Sequence, residues 1–190
     1  MENNITILCK AIKEVVPQVM EDWNQNKLNE FSNLFESDFE SFFAGKQTQE
    51  KTKIVSPILN KIFIRLMNNH NTIESFIDND ESGSDYLFNE DIALEGKITL
   101  SSGNSWTGNG YYKVPLHVLI RYTFSDEGEI TSFFSMVADL SETKGQWDSP
   151  STQSNFSSLK FYNEDKEHLM LCNGKILQLK KYLKYEHVCK

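Results

Sequence analysis

The sequence predicts an α/β fold, a mainly helical part over residues 1–77 followed by a sheet-rich part over 78–190, and three observations carry that expectation. Apolar residues recur at three- and four-residue steps in the first third. Short apolar runs cut by Gly, Asn, Asp and Ser take over from about residue 78. One of those runs alternates with period two. The first stripe is Ile5, Ile12, Val15, Val16, Val19, Met20 and Trp23, which would line one side of a helix; Pro17 is expected to kink or split it. A second stripe runs through Leu28, Phe31, Leu34, Phe35, Phe39 and Phe42 and stops at Gly45. A third, Ile54, Ile58, Ile62 and Leu66, is interrupted by Pro57. All three read as core packing.

Beyond them, in the segment Asp85–Leu100, the polar stretch Asn89-Glu90-Asp91 suggests a turn between two hairpin strands. In the second strand Ile92, Leu94, Ile98 and Leu100 share one face, and Asp91, Ala93, Glu95, Lys97 and Thr99 the other. Val114–Phe124 and Ile130–Leu140 read as longer, more buried strands joined by the turn Ser125-Asp-Glu-Gly-Glu129. Near the end, Asn173-Gly174 between Leu169–Cys172 and Lys175–Leu179 is a strong hairpin signal. No linker, internal repeat or low-complexity tract divides the 190 residues, a length that suits one domain of roughly 100–200 residues.

Composition narrows the function classes. Three separated cysteines, Cys9, Cys172 and Cys189, form no CxxC pair and no zinc spacing with the four scattered histidines. No apolar run approaches the roughly 18 residues of a membrane span, and MENNITILCK lacks the order of a secretory signal, so a cytoplasmic protein without a membrane partner is expected. The formal net charge of −8 argues against nonspecific nucleic-acid binding driven by counterion release. The charge is uneven: residues 1–50 carry −5, 51–100 carry −3, 101–150 carry −3, and 151–190, with Lys180, Lys181 and Lys184, carry +3.

One constellation carries chemistry. Asp85 precedes Glu95 by ten positions, and Glu95-Gly96-Lys97 sets a carboxylate and an ammonium on one face of a strand, about 7 Å apart at the Cα level. With 17 Glu and 17 Lys, a Glu-x-Lys triplet is expected about 1.5 times by chance, and the chain has three. Glu142/Lys144 and Glu164/Lys166 lie in polar stretches, so only Glu95/Lys97 sits mid-strand with an apolar opposite face. A charged pair in a strand built for burial is costly unless it is paired or holds a metal; the competing reading is a same-face ion pair on a solvated strand.

Asp85…Glu95-Gly96-Lys97, followed by the polar loop Ser101–Lys113 and the apolar strand Val114–Tyr122, resembles the active-site region of the PD-(D/E)xK nuclease superfamily, and the small size suggests a type II restriction endonuclease. The resemblance covers about residues 78–140. Ser84 stands where that motif has proline. The resemblance implies a restriction-endonuclease-like core, a central mixed sheet flanked by helices. It implies Mg2+, with Mn2+ as a substitute, held by Asp85, Glu95 and the Gly96 carbonyl, and Lys97 orienting or deprotonating the attacking water. Family members often add a carboxylate from a preceding helix, for which Glu74 is the candidate. The glycine-containing loop offers Asn104, Ser105, Trp106, Thr107, Asn109, Tyr111 and Lys113 as DNA contacts. Double-stranded DNA is then the substrate, a homodimer the assembly matching a palindromic site, and a cognate DNA methyltransferase the partner in the host. The other readings are a repair or junction-resolving nuclease of the same superfamily and a noncatalytic acidic binding or immunity protein.

Overall fold

The computed structural model describes residues 2–32, 42–44, 49–79, 84–100, 105–107, 113–139, 158–162, 169–172 and 175–178. Two long helices, α1 (Glu2–Ser32) and α2 (Gln49–Asn68), precede the strands. A five-stranded sheet runs in the order β1 (Phe76–Asp78), β2 (Tyr86–Phe88), β3 (Ile92–Thr99), β5 (Leu116–Phe124), β6 (Ile130–Asp139). Its neighbours are antiparallel except β3 and β5, which run parallel, so the sheet is mixed as expected. A second, antiparallel sheet joins β4 (Ser105–Thr107), β7 (Ser158–Tyr162), β8 (Leu169–Cys172) and β9 (Lys175–Gln178). In it Cys172 pairs with Lys175, the strands the Asn-Gly signal predicts.

Each helix continues through its proline, where the sequence predicts a kink or a split for Pro17 and an interruption at Pro57. A proline frees the carbonyl four residues earlier. Those carbonyls belong to Lys13 and Lys53, both at exposed positions where water can take the missing bond. The stripe is meanwhile engaged: Ile5, Ile12, Val15, Val16, Val19 and Trp23 are buried, with Leu8 beside them, and Met20 packs partly buried against the cluster. Leu28 and Phe31 belong to the same helix rather than opening a second one. Gly45 lies outside the described residues.

The apolar faces of helices and sheet form one cluster. From α2 come Val55, Leu59, Ile62, Phe63 and Met67; from the sheet come Phe76, Tyr86, Phe88, Leu94, Val118, Ile120, Tyr122 and Val137. Both helices are fastened to strands by an asparagine that imitates a peptide group. Asn68 accepts from the Phe76 N–H (2.8 Å) and donates to the Phe76 carbonyl (2.6 Å). Asn24 does the same to Ile130, at 2.8 and 3.0 Å. Trp23, fully buried, donates its indole N–H to the Gly128 carbonyl at 2.9 Å, in the β5–β6 turn where Gly128 takes φ 77°. The apolar stripe of α1 is thus covered by the chain's own sheet and by α2, and the exposed positions of the helix include Lys10, Lys13, Glu14, Gln18 and Glu21. No helix among the described residues is long and apolar enough to cross a membrane.

Candidate functional site

The β2–β3 hairpin turns through Asn89 (φ 48°) and Glu90 (φ 65°), two consecutive left-handed residues, the geometry that matches the twist of paired strands. This turn fixes the register: Phe88 faces Ile92 and Tyr86 faces Leu94, so the next pair outward is Asp85 and Glu95. Two carboxylates opposite each other on neighbouring strands repel. Lys97, two residues beyond Glu95 on the same face, answers that repulsion. Its Nζ donates to Glu95 Oε1 at 2.5 Å and to Asp85 Oδ2 at 3.1 Å. The three groups singled out from the sequence meet in space.

The site is asymmetric in burial. The Glu95 side chain is 4% exposed, Lys97 20% and Asp85 35%. Asp85 Oδ2 also accepts the Gly96 N–H at 2.9 Å. In an extended strand a residue's N–H and carbonyl point to the same side, so the Gly96 carbonyl is turned toward the β2 edge as well. Glu95 Oε2, by contrast, is buried and accepts no hydrogen bond; the Lys113 Nζ lies 3.5 Å from it in an ion pair. Lys113, proposed from sequence as a DNA contact, therefore reaches the same carboxylate.

The backbone around Asp85 is braced. Asn79 donates its N–H to the Asp85 carbonyl (3.0 Å) and its side-chain amide to Ser84 Oγ (2.8 Å). Ser84, buried, donates in turn to the Tyr86 carbonyl (3.4 Å). A hydroxyl tied into this bracing occupies the place where the nuclease motif has proline. On the other side of the sheet Tyr86 lies over Gly96: a Cβ there would come 2.3 Å from Tyr86 Cε2. Glycine between Glu95 and Lys97 is a packing requirement. Tyr86 is held by Phe63 and Phe76, with ring centroids at 6.0 and 5.0 Å, and by a short hydrogen bond to Asn60.

Sequence reasoning missed His117. In the parallel register it is the partner of Glu95, so both share the charged face. Burial above all, and secondarily the Lys97 ammonium, hold its imidazole down to about 4, and it is neutral at pH 7. Its isolation in sequence hid it, because the β3–β5 pairing crosses a connection of sixteen residues, 100–115. Glu74 is not brought to the cluster. It is exposed, and its N–H donates to Asn89 Oδ1 (3.3 Å) at the hairpin end, away from Asp85. Asn104, Asn109 and Tyr111 lie outside the described residues. Ser105, Trp106 and Thr107 form β4, paired with β7.

A cleft of about 340 Å³ opens between α2 and β1–β3, with Asp85 and Gly96 on one wall and Ser56, Asn60 and Lys61 on the other. Among the described residues no three His, Cys, Asp or Glu side chains converge as a ready cation cage. Two carboxylates, one carrying an orphaned buried oxygen, still suit a magnesium-type ion, which usually takes one or two protein carboxylates and completes its shell with water and substrate phosphate. The chain matches no protein-family model, no curated protein and no solved structure.

Proposed function

We propose that the chain is a magnesium-dependent DNA endonuclease that hydrolyses phosphodiester bonds in double-stranded DNA, of the site-specific restriction type. The observation that carries this reading is the buried Glu95, with one oxygen on Lys97 and the other without a hydrogen bond, opposite the more accessible Asp85. A buried carboxylate oxygen that has an ionic neighbour, Lys113, but no hydrogen bond is incompletely satisfied, and a site that must receive a cation needs a lone pair that no donor holds. A bound dication would supply charge neutralisation at the phosphate and a water more acidic than bulk. Asp85 and Glu95, with the Gly96 carbonyl, are the groups to hold it. Lys97 is within hydrogen-bond reach of both carboxylates, which supports its reading as the group that would orient or deprotonate the attacking water. Mn2+ would substitute.

The reading as an acidic binding protein asks for carboxylates displayed to a partner, and Glu95 displays almost none of its charge. A two-fold dimer would present two such sites to the two strands of a palindrome; sedimentation with and without DNA tests that assembly. The function itself is tested by incubating plasmid with pure protein and Mg2+. Discrete fragments are expected, lost with a chelator and reduced at least about a hundredfold in Glu95→Ala and Lys97→Ala, with DNA binding still measurable. Undiminished cutting by either variant would move the active site elsewhere, and no cutting by the wild type would remove the proposal.

A further inference from the structure

Glu95 is flanked by two ammonium groups in different ways. Lys97 makes a short, direct hydrogen bond to Oε1, whereas Lys113 stands 3.5 Å from Oε2 in ionic contact, and that oxygen accepts no hydrogen bond. The Lys113 side chain is 18% exposed, on the residue where the chain enters the approach to β5. Lys97 also serves Asp85, while Lys113 has Glu95 as its one carboxylate ion-pair partner among the described contacts.

We propose that Lys113 is an exchangeable counter-ion for the cation-binding oxygen of Glu95: it neutralises Oε2 when no metal is bound, gives way to the dication, and then turns to the phosphate group of the DNA. The inference rests on the cation-dependent nuclease reading and adds to it a residue that competes with the metal. The physical reason is charge conservation at a buried oxygen. Lys97 stays on Oε1 and answers part of the buried charge in either state, so the ammonium at Oε2, held without a hydrogen bond, is displaced with less loss than one held at 2.5 Å. Once displaced, Lys113 keeps a flexible stem and three donors, the equipment for a phosphate oxygen.

This arrangement has a signature with two opposite signs. Removing a residue that merely supports the fold, or that helps to hold the metal, leaves metal affinity unchanged or lowers it. Removing a competitor raises it. The apo full-length chain is titrated with Mn2+ at pH 7.5, read by electron paramagnetic resonance or calorimetry, and separately with a DNA duplex in the presence of Ca2+. Lys113→Ala is expected to bind Mn2+ on the order of tenfold more tightly than wild type (1.4 kcal/mol), to bind duplex DNA several-fold more weakly, and to lose about one unit of salt dependence. Lys113→Arg, which keeps the charge, is expected to stay near wild type in both titrations and guards against a folding defect in the alanine variant. Mn2+ affinity in Lys113→Ala that is equal to or weaker than wild type overturns the exchange, as does the absence of any Mn2+ binding by both proteins. The two failures separate: wild-type plasmid cleavage with no gain in Mn2+ affinity removes only the role of Lys113, and a gain in affinity without cleavage removes only the nuclease reading.

Discussion

The two faces of the central sheet are built on opposed principles. On the helix side Leu94, Val118, Ile120, Tyr122 and Val137 meet α1 and α2 in an apolar cluster; Trp23 and Asn24 at its margin have their bonds made, while the neutral Tyr122 hydroxyl is buried without one. On the other side Glu95 and Lys97 share β3 with a neutral buried His117 across the parallel pairing, and Glu95 Oε2 is left without a hydrogen bond. The helix side contributes stability through area removed from water. The charged side buries an ionised pair, which costs desolvation free energy and is the kind of local conflict expected of a functional site.

Substitutions on the two faces should therefore behave differently, and the largest loss is expected on the apolar one. Trp23→Ala removes a fully buried indole stacked edge-on against Phe124 and Phe43 and leaves the Gly128 carbonyl without its donor; about 4 kcal/mol should be lost in urea unfolding. On the charged face Lys97→Ala should cost about 3 kcal/mol, because it strips a buried carboxylate of its hydrogen-bonded partner. The double variant Glu95→Gln with Lys97→Met should recover to within about 1 kcal/mol of wild type while remaining inactive. A double variant as unstable as Lys97→Ala would mean that the charged pair holds the sheet together, and the contrast between the faces would fail.

Acid should act through the charged face. His117 titrates near 4 in the folded chain against an ordinary value of 6.5, so between those pH values the unfolded chain binds the proton and the native one does not. The stability associated with neutral His117 is complete above about pH 6.5 and is lost as pH falls toward 4, to a total of about 3 kcal/mol. Comparing denaturation midpoints at pH 7 and pH 5 in wild type and His117→Gln isolates it, since the variant should lack this part of the acid sensitivity. An equal drop in both would assign the effect to other groups. The smallest effect joins the faces: Gly96→Ala drives a methyl against the Tyr86 ring, which Phe63, Phe76 and Asn60 hold in place, and should cost about 2 kcal/mol, relieved in part by Tyr86→Leu.

Much of this architecture was legible residue by residue. The stripe from Ile5 to Trp23 is a helix face, and period-two alternation in Ile92–Leu100 separates Leu94 from Glu95 as the structure does. The hairpin through Asn89 and Glu90 then follows, and with it the meeting of Asp85 and Glu95. The prolines do not split the helices, because local propensity says nothing about how much apolar surface a helix buries on either side of a proline. Glu74 misled for another reason: the resemblance asks for a carboxylate from a preceding helix, whereas Glu74 lies beyond the end of α2 and its backbone N–H is bound at the hairpin end.

What the sequence by itself determined is therefore the periodic and local part: which residues form helices and strands, which side of β3 is charged, and which aspartate its turn sets against Glu95. Tertiary structure alone decided that His117 and Lys113 stand beside that glutamate and that Tyr86 demands glycine at position 96. The reason is one of range. Periodicity and turn chemistry act over a few residues, whereas the parallel pairing of β3 with β5 and the docking of α2 over Tyr86 join segments whose separation leaves no repeating pattern in the chain.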